Sequence, residues 1–385
     1  MSGATAYDVV VVGAGIVGAT CAYRLAEAGL DVCMIDRGPV VSGTTGAGEG
    51  NILVSDKEPG PELDLALLSV RLWHELAAVL PHDVELEPKG GLIVSSSDAG
   101  LAALVAAADR QREHGVVAEI VDADRLVELE PHLSHDVLGG VSYPQDMQVQ
   151  PMLAAAHLLR LARRRGAVVR PHTRMVGVDR GSGGVIRGVR TDAGPIACRW
   201  VVNAAGTWGG EVGALAGGRI PVLPRRGFVL VTEPLPPLVH HKVYGADYVA
   251  NVASDSAGLE TSPVVEATRA GTILVGASRE RVGFDGTTSY DVLGRLAAQA
   301  VALFPVLAGV RVQRAYRGFR PYCPDHLPVI GPDPRVDGLV HACGHEGAGI
   351  GLAPATAALV VGSITAHPTP VSLDAFSSLR FGDAA

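Results

Sequence analysis

Apolar positions near the beginning of the sequence follow two patterns in succession. Tyr7 to Val12 is an unbroken, mostly β-branched apolar run, which is typical of a strand buried on both faces. Ala14 to Ala28 then shows helical spacing that stops at Gly29, and a second apolar run covers Val32 to Ile35. These patterns predict a β-strand, an α-helix and a second β-strand.

The middle of the chain alternates between helical spacing and short strand-like runs. Pro61 to Leu80 has leucines at helical spacing and predicts a long amphipathic helix. From Val84 to Tyr143, short strand patterns surround a helix near Asp98 to His114. Between Pro221 and Asp285, strand-like runs dominate, including one from Val243 to Val252. We expect an antiparallel sheet there and assign it to substrate binding.

Buried-strand patterns return later in the sequence, at Val201 to Ala205 and at Leu339 to Cys343. The second run leads through the glycine-rich Gly344 to Gly351 into a helix predicted from about Pro354 to Thr365. Because this strand–turn–helix pattern matches the one at the start, both ends of the chain are predicted to form one domain. The predicted division gives that domain residues 1–82, 146–218 and 313–385, and a substrate domain residues 83–145 and 219–312.

Composition and charge restrict the kind of partner. Of the 385 residues, 48% are apolar and the formal net charge is −8, so we expect a folded protein that binds neither nucleic acid nor a membrane surface. The apolar stretch Val9 to Tyr23 lacks a basic leader, which favours a cytoplasmic protein without a membrane span. The five cysteines show no C-x-x-C spacing, so we expect buried packing and no metal site.

A nucleotide fingerprint lies between the first predicted strand and helix. The pattern G-x-G-x-x-G is formed by Gly13, Ala14, Gly15, Ile16, Val17 and Gly18. The first glycine allows a tight turn, the second lets the backbone approach a pyrophosphate, and the third lets helix and strand pack closely. Asp36 and Arg37 follow the second strand, where a carboxylate accepts hydrogen bonds from an adenosine ribose. This predicts a dinucleotide, without separating NAD from FAD.

Two further glycine-rich segments favour FAD. In the first, a small polar loop with backbone amides suited to a pyrophosphate and a flavin ring, the candidate contacts are Thr44, Thr45, Gly48, Glu49, Gly50 and Asn51. A flexible surface loop is the alternative. In the second, a helix N-terminus favours negative charge on a reduced flavin, and the candidates are Gly344, His345, Glu346, Gly347, Gly349 and Ile350.

With these motifs the sequence resembles the D-amino-acid oxidase superfamily, which contains glycine oxidase and sarcosine oxidase. The resemblance covers nearly the whole length and implies an α/β fold: a Rossmann-like FAD-binding domain with an inserted antiparallel-sheet α+β substrate domain. Gly46 to Pro61 and Gly344 to Thr356 are most similar to the flavin subunits of D-hydroxyproline dehydrogenase, opine oxidase and hydrogen cyanide synthase. This finer similarity implies partner subunits that carry an iron–sulfur or second flavin centre.

The resemblance also implies site residues. Further cofactor contacts are Val176 at the adenine and, elsewhere along the cofactor, Ala204, Ala205, Gly206, Trp208 and Gly318. Arg320 matches the arginine that binds the substrate carboxylate, a task that suits a planar guanidinium, although a loop-bridging role stays open. The cysteine and histidine that bind flavin covalently in sarcosine oxidases have no counterpart here, so the FAD is expected to be non-covalent.

Three more side chains are catalytic candidates. Tyr248, predicted in the antiparallel sheet, could donate its hydroxyl to the same carboxylate, and a core aromatic is the alternative. Glu49 and His345 could orient the amine or take its proton, unless they are solvated loop residues.

The expected reaction is oxidation of the C–N bond of a small amino acid or secondary amine, by hydride transfer to flavin N5. D-hydroxyproline or proline, glycine, sarcosine and opines are the candidate substrates. We expect this chain to be the flavin subunit of a multi-subunit dehydrogenase. Two alternatives stay open: a free-standing oxidase that produces hydrogen peroxide, and a non-catalytic interaction subunit stabilised by flavin.

Overall fold

The computed structural model describes residues 6–252 and 254–384, so the parts of the predicted domains at 1–5, 253 and 385 lie outside the described residues. The strands in this part are β1 (Ala6–Val12), β2 (Val32–Ile35), β3 (Asn51–Ile52), β4 (Gly91–Ser95), β5 (Glu119–Asp122), β6 (Gly139–Tyr143), β7 (Met147–Gln148), β8 (Val168–Arg170), β9 (Met175–Arg180), β10 (Ile186–Thr191), β11 (Gly194–Asn203), β12 (Leu223–Thr232), β13 (Lys242–Gly245), β14 (Glu260–Ala267), β15 (Ile273–Arg279), β16 (Val312–Tyr322), β17 (Val329–Pro332) and β18 (Leu339–Cys343). The α-helices are α1 (Ile16–Glu27), α2 (Pro61–Ala77), α3 (Asp98–Arg112), α4 (Ala123–Leu129), α5 (Pro151–Arg164), α6 (Gly209–Leu215), α7 (Ala246–Val252), α8 (Tyr290–Leu303) and α9 (Gly349–Thr365).

The first sheet is built around the predicted strand–helix–strand unit. Its strand order is β17-β18-β11-β1-β2-β8, with the β9–β10 hairpin attached to β11. From β18 to β8 the neighbours pair in parallel, and β1 is buried on both faces, as its unbroken apolar run predicts. Because parallel strands end at one edge, the loops after β1, β2, β11 and β18 meet there.

The second sheet combines segments that lie far apart in sequence. Its order is β16-β12-β15-β14-β13-β4-β6-β5, and all neighbours pair antiparallel except β13 with β4. Leu296 on α8 and Phe304 after it pack against this sheet in a separate apolar cluster. The two sheets confirm the predicted fold class. The strand β16 lies in this sheet although the predicted division places 313–385 in the nucleotide domain, and the domain boundaries themselves stay a prediction.

The predicted strand from Val243 to Val252 is wrong beyond its first few residues. β13 ends at Gly245, and α7 begins at Ala246, so Tyr248 lies on a short helix and not in the sheet. The segment is rich in valine and tyrosine, residue types with strand preference, and seven residues are too few for helical spacing to be recognised.

The C-terminal helix begins earlier than predicted and continues through a proline. α9 starts at Gly349 and contains Pro354, which we expected near its first residue. Ser69 of α2 opens the helix locally: its Oγ donates to the Gly351 carbonyl at 2.6 Å and accepts from the Ala355 amide at 3.3 Å. The hydroxyl thus replaces a direct intrahelical hydrogen bond, which accommodates the proline.

The positions of the cysteines and the lengths of the helices are two further properties of the fold. All five cysteines are unpaired thiols in the interior, as the packing prediction requires. Within residues 6–252 and 254–384, every helix is too short or too polar to cross a membrane.

Candidate active site

A long cavity lies between the carboxyl edge of the first sheet and strands β12 and β16 of the second. The predicted residues that line it are Gly13, Gly15, Ile16, Val17, Asp36, Arg37, Thr44, Thr45, Gly48, Glu49, Asn51, Ala204, Ala205, Gly206, Trp208, Tyr248, Gly318, Arg320, His345, Glu346, Gly347, Gly349 and Ile350. The structure therefore brings the four catalytic candidates and most cofactor candidates to one cavity.

Five predicted cofactor contacts lie outside the cavity wall, namely Ala14, Gly18, Gly50, Val176 and Gly344. Packing accounts for the three glycines: a Cβ on Gly18, Gly50 or Gly344 would lie 1.9, 2.0 or 2.5 Å from a neighbouring atom. Val176 is 46% exposed, whereas Thr173, Arg174 and Met175 just before it line the cavity. The cofactor roles of the five predicted residues stay predictions.

The fingerprint turn is held by Asp36 and Thr45. Asp36 accepts hydrogen bonds from the Ala14 amide at 2.7 Å and the Gly38 amide at 2.8 Å, so its carboxylate fixes both loops at this end of the cavity. Thr45 accepts from the Ile16 amide at 3.0 Å. Gly13 has φ +111° and would place a Cβ 2.4 Å from the Ala204 carbonyl, so glycine is required there.

An aromatic stack closes the cavity beside Asp36. The Arg37 guanidinium lies 4.0 Å from the centre of the Trp208 ring, and Trp208 stacks on Phe284 with ring centres 5.4 Å apart. Phe284 was not predicted, because its loop reads as an ordinary turn. These two contacts hold the Trp208 ring as part of the cavity wall.

The loop before α9 contributes one neutral and one paired side chain. Burial lowers the pKa of His345 to about 3, so its imidazole is neutral, and its Nε2 lies 2.9 Å from Thr356 Oγ1. Glu346 pairs with Arg225 at 2.6 Å and with His326 at 3.0 Å. His345 is therefore a poor proton acceptor near neutral pH.

Arg320 reaches the cavity from β16. Its Nη1 donates to the Ser278 carbonyl at 2.8 Å, and among the described residues it has no carboxylate partner. Burial, and then the charge of Arg279, hold its pKa below the usual range of arginine. A Cβ on Gly227 would lie 2.1 Å from Nη1, so this glycine provides the space that the guanidinium occupies.

Tyr248 faces the same part of the cavity from α7. It is 7% exposed, and its ring lies edge-on to Tyr244 with centres 5.0 Å apart. Burial raises the pKa of its hydroxyl, which therefore stays protonated. Within the described part of the chain this hydroxyl has no hydrogen-bond partner, which leaves it available to a ligand.

Glu49 is a buried carboxylate with one free oxygen. It is 8% exposed; Oε2 accepts from Asn51 Nδ2 at 3.1 Å, while Oε1 has no partner in the structure. A Cβ on Gly276 would lie 2.3 Å from Oε1. The carboxylate thus forms part of the cavity wall with an unsatisfied acceptor.

Lys242 supports Glu49 from behind and was missed by sequence reasoning. Its Nζ donates to Asn51 Oδ1, lies 2.7 Å from Glu266 Oε2, and lies 4.0 Å from Glu49 Oε2. Although burial alone would lower it, the carboxylates of Glu266 and Glu49 raise the pKa of Lys242 above its ordinary value. Its ammonium is therefore charged. A lysine in a strand pattern gives no signal of such burial.

Comparison with known proteins identifies the family. Residues 8–362 match the DAO family model, described as FAD dependent oxidoreductase. The chain belongs to this family. It is 31% identical to hydrogen cyanide synthase subunit HcnC of Pseudomonas aeruginosa over 97% of this chain and 96% of that protein. It is 32% identical to glycine oxidase of Pseudomonas putida, covering 93% and 94% of the two chains.

A solved structure of the family has the same fold. The crystal structure of glycine oxidase from Geobacillus kaustophilus matches 97% of this chain and 99% of its own, with a TM-score of 0.88 and 27% identity. The chain is therefore an FAD-dependent oxidoreductase, as the sequence predicted.

The cavity fits the FAD cofactor of the DAO family. Its wall includes Gly13 and Gly15, where the backbone is bare, and the N-terminal ends of α1 and α9, whose N-cap residues Gly15 and Ala348 provide no side-chain cap. The positive ends of two helix dipoles suit a pyrophosphate and a reduced flavin ring. Asp36 at the far end suits a ribose.

Proposed function

We propose that this chain oxidises the C–N bond of a small amino acid or secondary amine. The proposal rests on Arg320. Its guanidinium has no carboxylate partner among the described residues, and it lies in the cavity that the fingerprint glycines also line. A guanidinium in this setting binds a carboxylate in two parallel hydrogen bonds and fixes the orientation of the substrate. Bound FAD would supply the acceptor for a hydride from the carbon next to nitrogen.

The side chains around Arg320 have complementary tasks in this proposal. Tyr248 donates its hydroxyl to the substrate carboxylate, because its hydroxyl is protonated and lacks a described protein partner. Glu49 accepts an N–H of the amine through Oε1, the buried oxygen without a hydrogen bond. His345, being neutral and bonded to Thr356, shapes the wall without adding charge.

These contacts orient the amine for a balanced oxidation. Loss of a hydride from carbon and a proton from nitrogen turns the amine into an imine, and water then splits the imine into a carbonyl compound and an amine or ammonia. Glu49 is the group on this chain that is placed to take the proton. Glu49 is buried and Arg320 is half-buried, which limits water around both contacts and strengthens them.

We also propose that the chain is the flavin subunit of a multi-subunit dehydrogenase. Its likeness to a subunit of hydrogen cyanide synthase over nearly the whole of both chains supports this role. A partner subunit with an iron–sulfur or second flavin centre would then receive the electrons. The similarity to glycine oxidase favours the second candidate, a free-standing oxidase that passes electrons to dioxygen.

Anaerobic titration of the purified chain tests the proposal. Flavin absorbance is followed while glycine, sarcosine, both proline enantiomers, D-hydroxyproline and an opine are added one at a time. We expect at least one to bleach the flavin, and an Arg320→Met variant that retains FAD to require a much higher concentration. Bound flavin that none of these amines reduces would contradict the amine assignment. Rapid reoxidation in air with peroxide release would select the oxidase over the subunit.

A further inference from the structure

A small side pocket adjoins the large cavity at Tyr248. Asn51, Tyr248 and Gly347 belong to the walls of both spaces, so the two are neighbours. The wall of the side pocket also includes the charged residues Asp56 and Lys57. The centre of a water-sized sphere can reach about 10 Å³ of this space, which is close to the minimum for one water molecule. The proposed reaction makes no use of this pocket.

Asp56 and Lys57 form a buried ion pair in the pocket wall. The side chain of Asp56 is 7% exposed and that of Lys57 is 4% exposed, and Lys57 Nζ lies 3.1 Å from Asp56 Oδ1 and 3.4 Å from Glu62 Oε1. The geometry of the pair makes no hydrogen bond to Oδ1, which has no other partner in the described part of the chain. Although burial alone would lower the pKa of Lys57, Asp56 and Glu62 raise it above its ordinary value, so the ammonium is charged. A buried carboxylate with unused acceptor capacity therefore lines the pocket.

The Tyr248 hydroxyl lies near this ion pair without a direct contact to it. After burial, Asp56 raises the pKa of Tyr248 more than any other charged group does. Within residues 6–252 and 254–384, however, no hydrogen bond joins the hydroxyl to Asp56 or Lys57. The ring is held on other sides, by the Arg279 guanidinium 5.2 Å from its centre and by the Tyr244 ring at 5.0 Å. The fold therefore keeps the hydroxyl and the ion pair apart across the side pocket.

One water molecule would complete the hydrogen bonds of all three groups. It accepts from Lys57 Nζ, donates one hydrogen to the Asp56 carboxylate and donates the other to the oxygen of Tyr248. Because a phenol has a single hydrogen, a Tyr248 oxygen that accepts from the side pocket can direct its own hydrogen into the cavity. Accepting one hydrogen bond also strengthens the one that the hydroxyl donates. Such a water would prepare Tyr248 for the carboxylate that Arg320 binds.

We propose that the side pocket binds one water molecule between Asp56, Lys57 and Tyr248, and that Asp56 positions the Tyr248 hydroxyl for the substrate carboxylate through this water. The inference rests on the proposed function, since it concerns the carboxylate contact of that same site. Asp56 touches neither the substrate nor the cofactor in this arrangement. It is a positioning residue, and its effect on the ligand requires the Tyr248 hydroxyl.

A high-resolution crystal structure of the FAD-loaded protein tests the water directly. We expect one ordered water within hydrogen-bonding distance of the Asp56 carboxylate, Lys57 Nζ and the Tyr248 hydroxyl. A direct hydrogen bond between Tyr248 and Asp56 would overturn the proposal. A dry pocket would overturn it too, because nothing would then connect the carboxylate to the hydroxyl. This measurement requires no variant.

A double-mutant cycle tests the positioning role without turnover. Methoxyacetate is sarcosine with an ether oxygen in place of the nitrogen, so it keeps the carboxylate and has no C–N bond to oxidise. Its affinity for the FAD-loaded protein is measured by the change in flavin absorbance. We expect Tyr248→Phe to weaken binding about tenfold and Asp56→Leu about fivefold. The double variant should bind no more weakly than Tyr248→Phe alone, since Asp56 acts only through the hydroxyl.

Two further variants separate positioning from a general effect of charge. Asp56→Asn keeps an acceptor oxygen and should bind methoxyacetate within about twofold of the wild type. Glu58→Leu is the matched control: it removes the same charge from the same loop, but Glu58 is exposed, pairs with Arg110 and lies outside the pocket wall, so affinity should not change. Independent effects, which would weaken the double variant about fiftyfold, overturn the proposal. A wild type that binds no methoxyacetate also overturns it.

Flavin reduction separates this inference from the proposed function. If an amine reduces the wild-type flavin while the two substitutions act independently on methoxyacetate, the positioning role fails and the proposed function stands. If the substitutions are coupled but no amine reduces the flavin, the positioning role stands and the amine oxidation fails. With a reducing amine, Asp56→Leu should raise the concentration for half-maximal reduction and leave the limiting rate nearly unchanged. A lower limiting rate at an unchanged half-maximal concentration would contradict a role in carboxylate binding.

Discussion

Replacement of Lys242 by methionine should lower the free energy of unfolding more than substitution of any exposed residue. The lysine is 2% exposed, and its ammonium contacts Asn51 and Glu266 and lies near Glu49. Methionine has a similar length without the charge. The substitution therefore leaves Glu266 buried with no cation beside it, while the shape of the side chain is nearly retained.

The expected cost follows from the burial of the carboxylate left behind. Glu266 is fully buried and already has one oxygen, Oε1, without a hydrogen-bond partner. Removing one member of a buried ion pair costs about 3–5 kcal/mol, mainly because the remaining charge is uncompensated. A double variant with Glu266→Gln removes that charge too, and should recover most of the lost free energy of unfolding.

Urea unfolding of the FAD-loaded protein, at a fixed excess of FAD, measures these differences. Lys89→Met is the control, because Lys89 donates to the Ala267 carbonyl at 2.5 Å and has no carboxylate within ion-pair distance among the described residues. Its loss should cost only about 1 kcal/mol. Equal midpoints for Lys242→Met and Lys89→Met would refute the reasoning, as would a double variant no more stable than Lys242→Met.

Four further substitutions have outcomes that the structure specifies. A methyl group at Gly18 would lie 1.9 Å from the Gly13 carbonyl, so Gly18→Ala should abolish FAD retention on gel filtration; Gly294→Ala, in the open face of α8, should stabilise the protein by about 0.5–1 kcal/mol. Asp36→Ala removes two hydrogen bonds to loop amides and should raise the dissociation constant of FAD about tenfold or more in a fluorescence titration; unchanged affinity would show that the carboxylate does not organise the site. Burial raises the pKa of Asp146 to about 7, and a folded-state pKa above the unfolded one means that stability is lost as pH rises through 7. The free energy of unfolding should therefore fall by about 1 kcal/mol between pH 6 and 8 from this group, and Asp146→Asn should flatten that dependence in melting curves; an equal slope in the variant would exclude this residue as the cause.

The first sheet was predictable because its signals are local. Strands β1 and β2 contain continuous apolar runs, and the glycines that follow β1 mark the turn into α1. The order of the second sheet was not, because β12 pairs with β16 and β13 pairs with β4 across long stretches of sequence. Such pairing depends on which strands reach each other after collapse, and alternation within one strand does not encode it.

The errors in helix boundaries have a common physical origin. Tyr248 lies on a helix that is too short to show helical spacing of its apolar residues. Pro354 lies inside a helix in which a neighbouring serine hydroxyl takes the place of one backbone hydrogen bond. In both cases tertiary contacts override the local preference of the sequence. Boundary prediction from one sequence fails at such places, although the elements around them were recognised.

Some parts of the candidate site could be predicted from the sequence and others could not. Most residues of the predicted glycine motifs line the cavity; such motifs act through the backbone, and their spacing is visible in the sequence. The residues that pack behind the cavity wall could not be recognised from the sequence. Lys242 and Arg279 resemble solvent-facing residues of strands, and Gly227 and Gly276 resemble ordinary strand glycines. Their roles depend on what they meet across the cavity, which only the packed structure supplies.

The charged side chains around this cavity are of two kinds, those with a partner of opposite charge in the protein and those without one. Lys242 and Arg225 have carboxylate partners, and their burial is compensated within the protein. Among the described residues Arg320 has no carboxylate partner and Oε1 of Glu49 has no hydrogen bond, although folded proteins rarely leave such groups without partners. In the proposed reaction, the carboxylate and the amine of the substrate would provide these missing partners. Lys242 lies beside Oε2 of Glu49, and it therefore leaves Oε1 free for the amine in the proposed reaction.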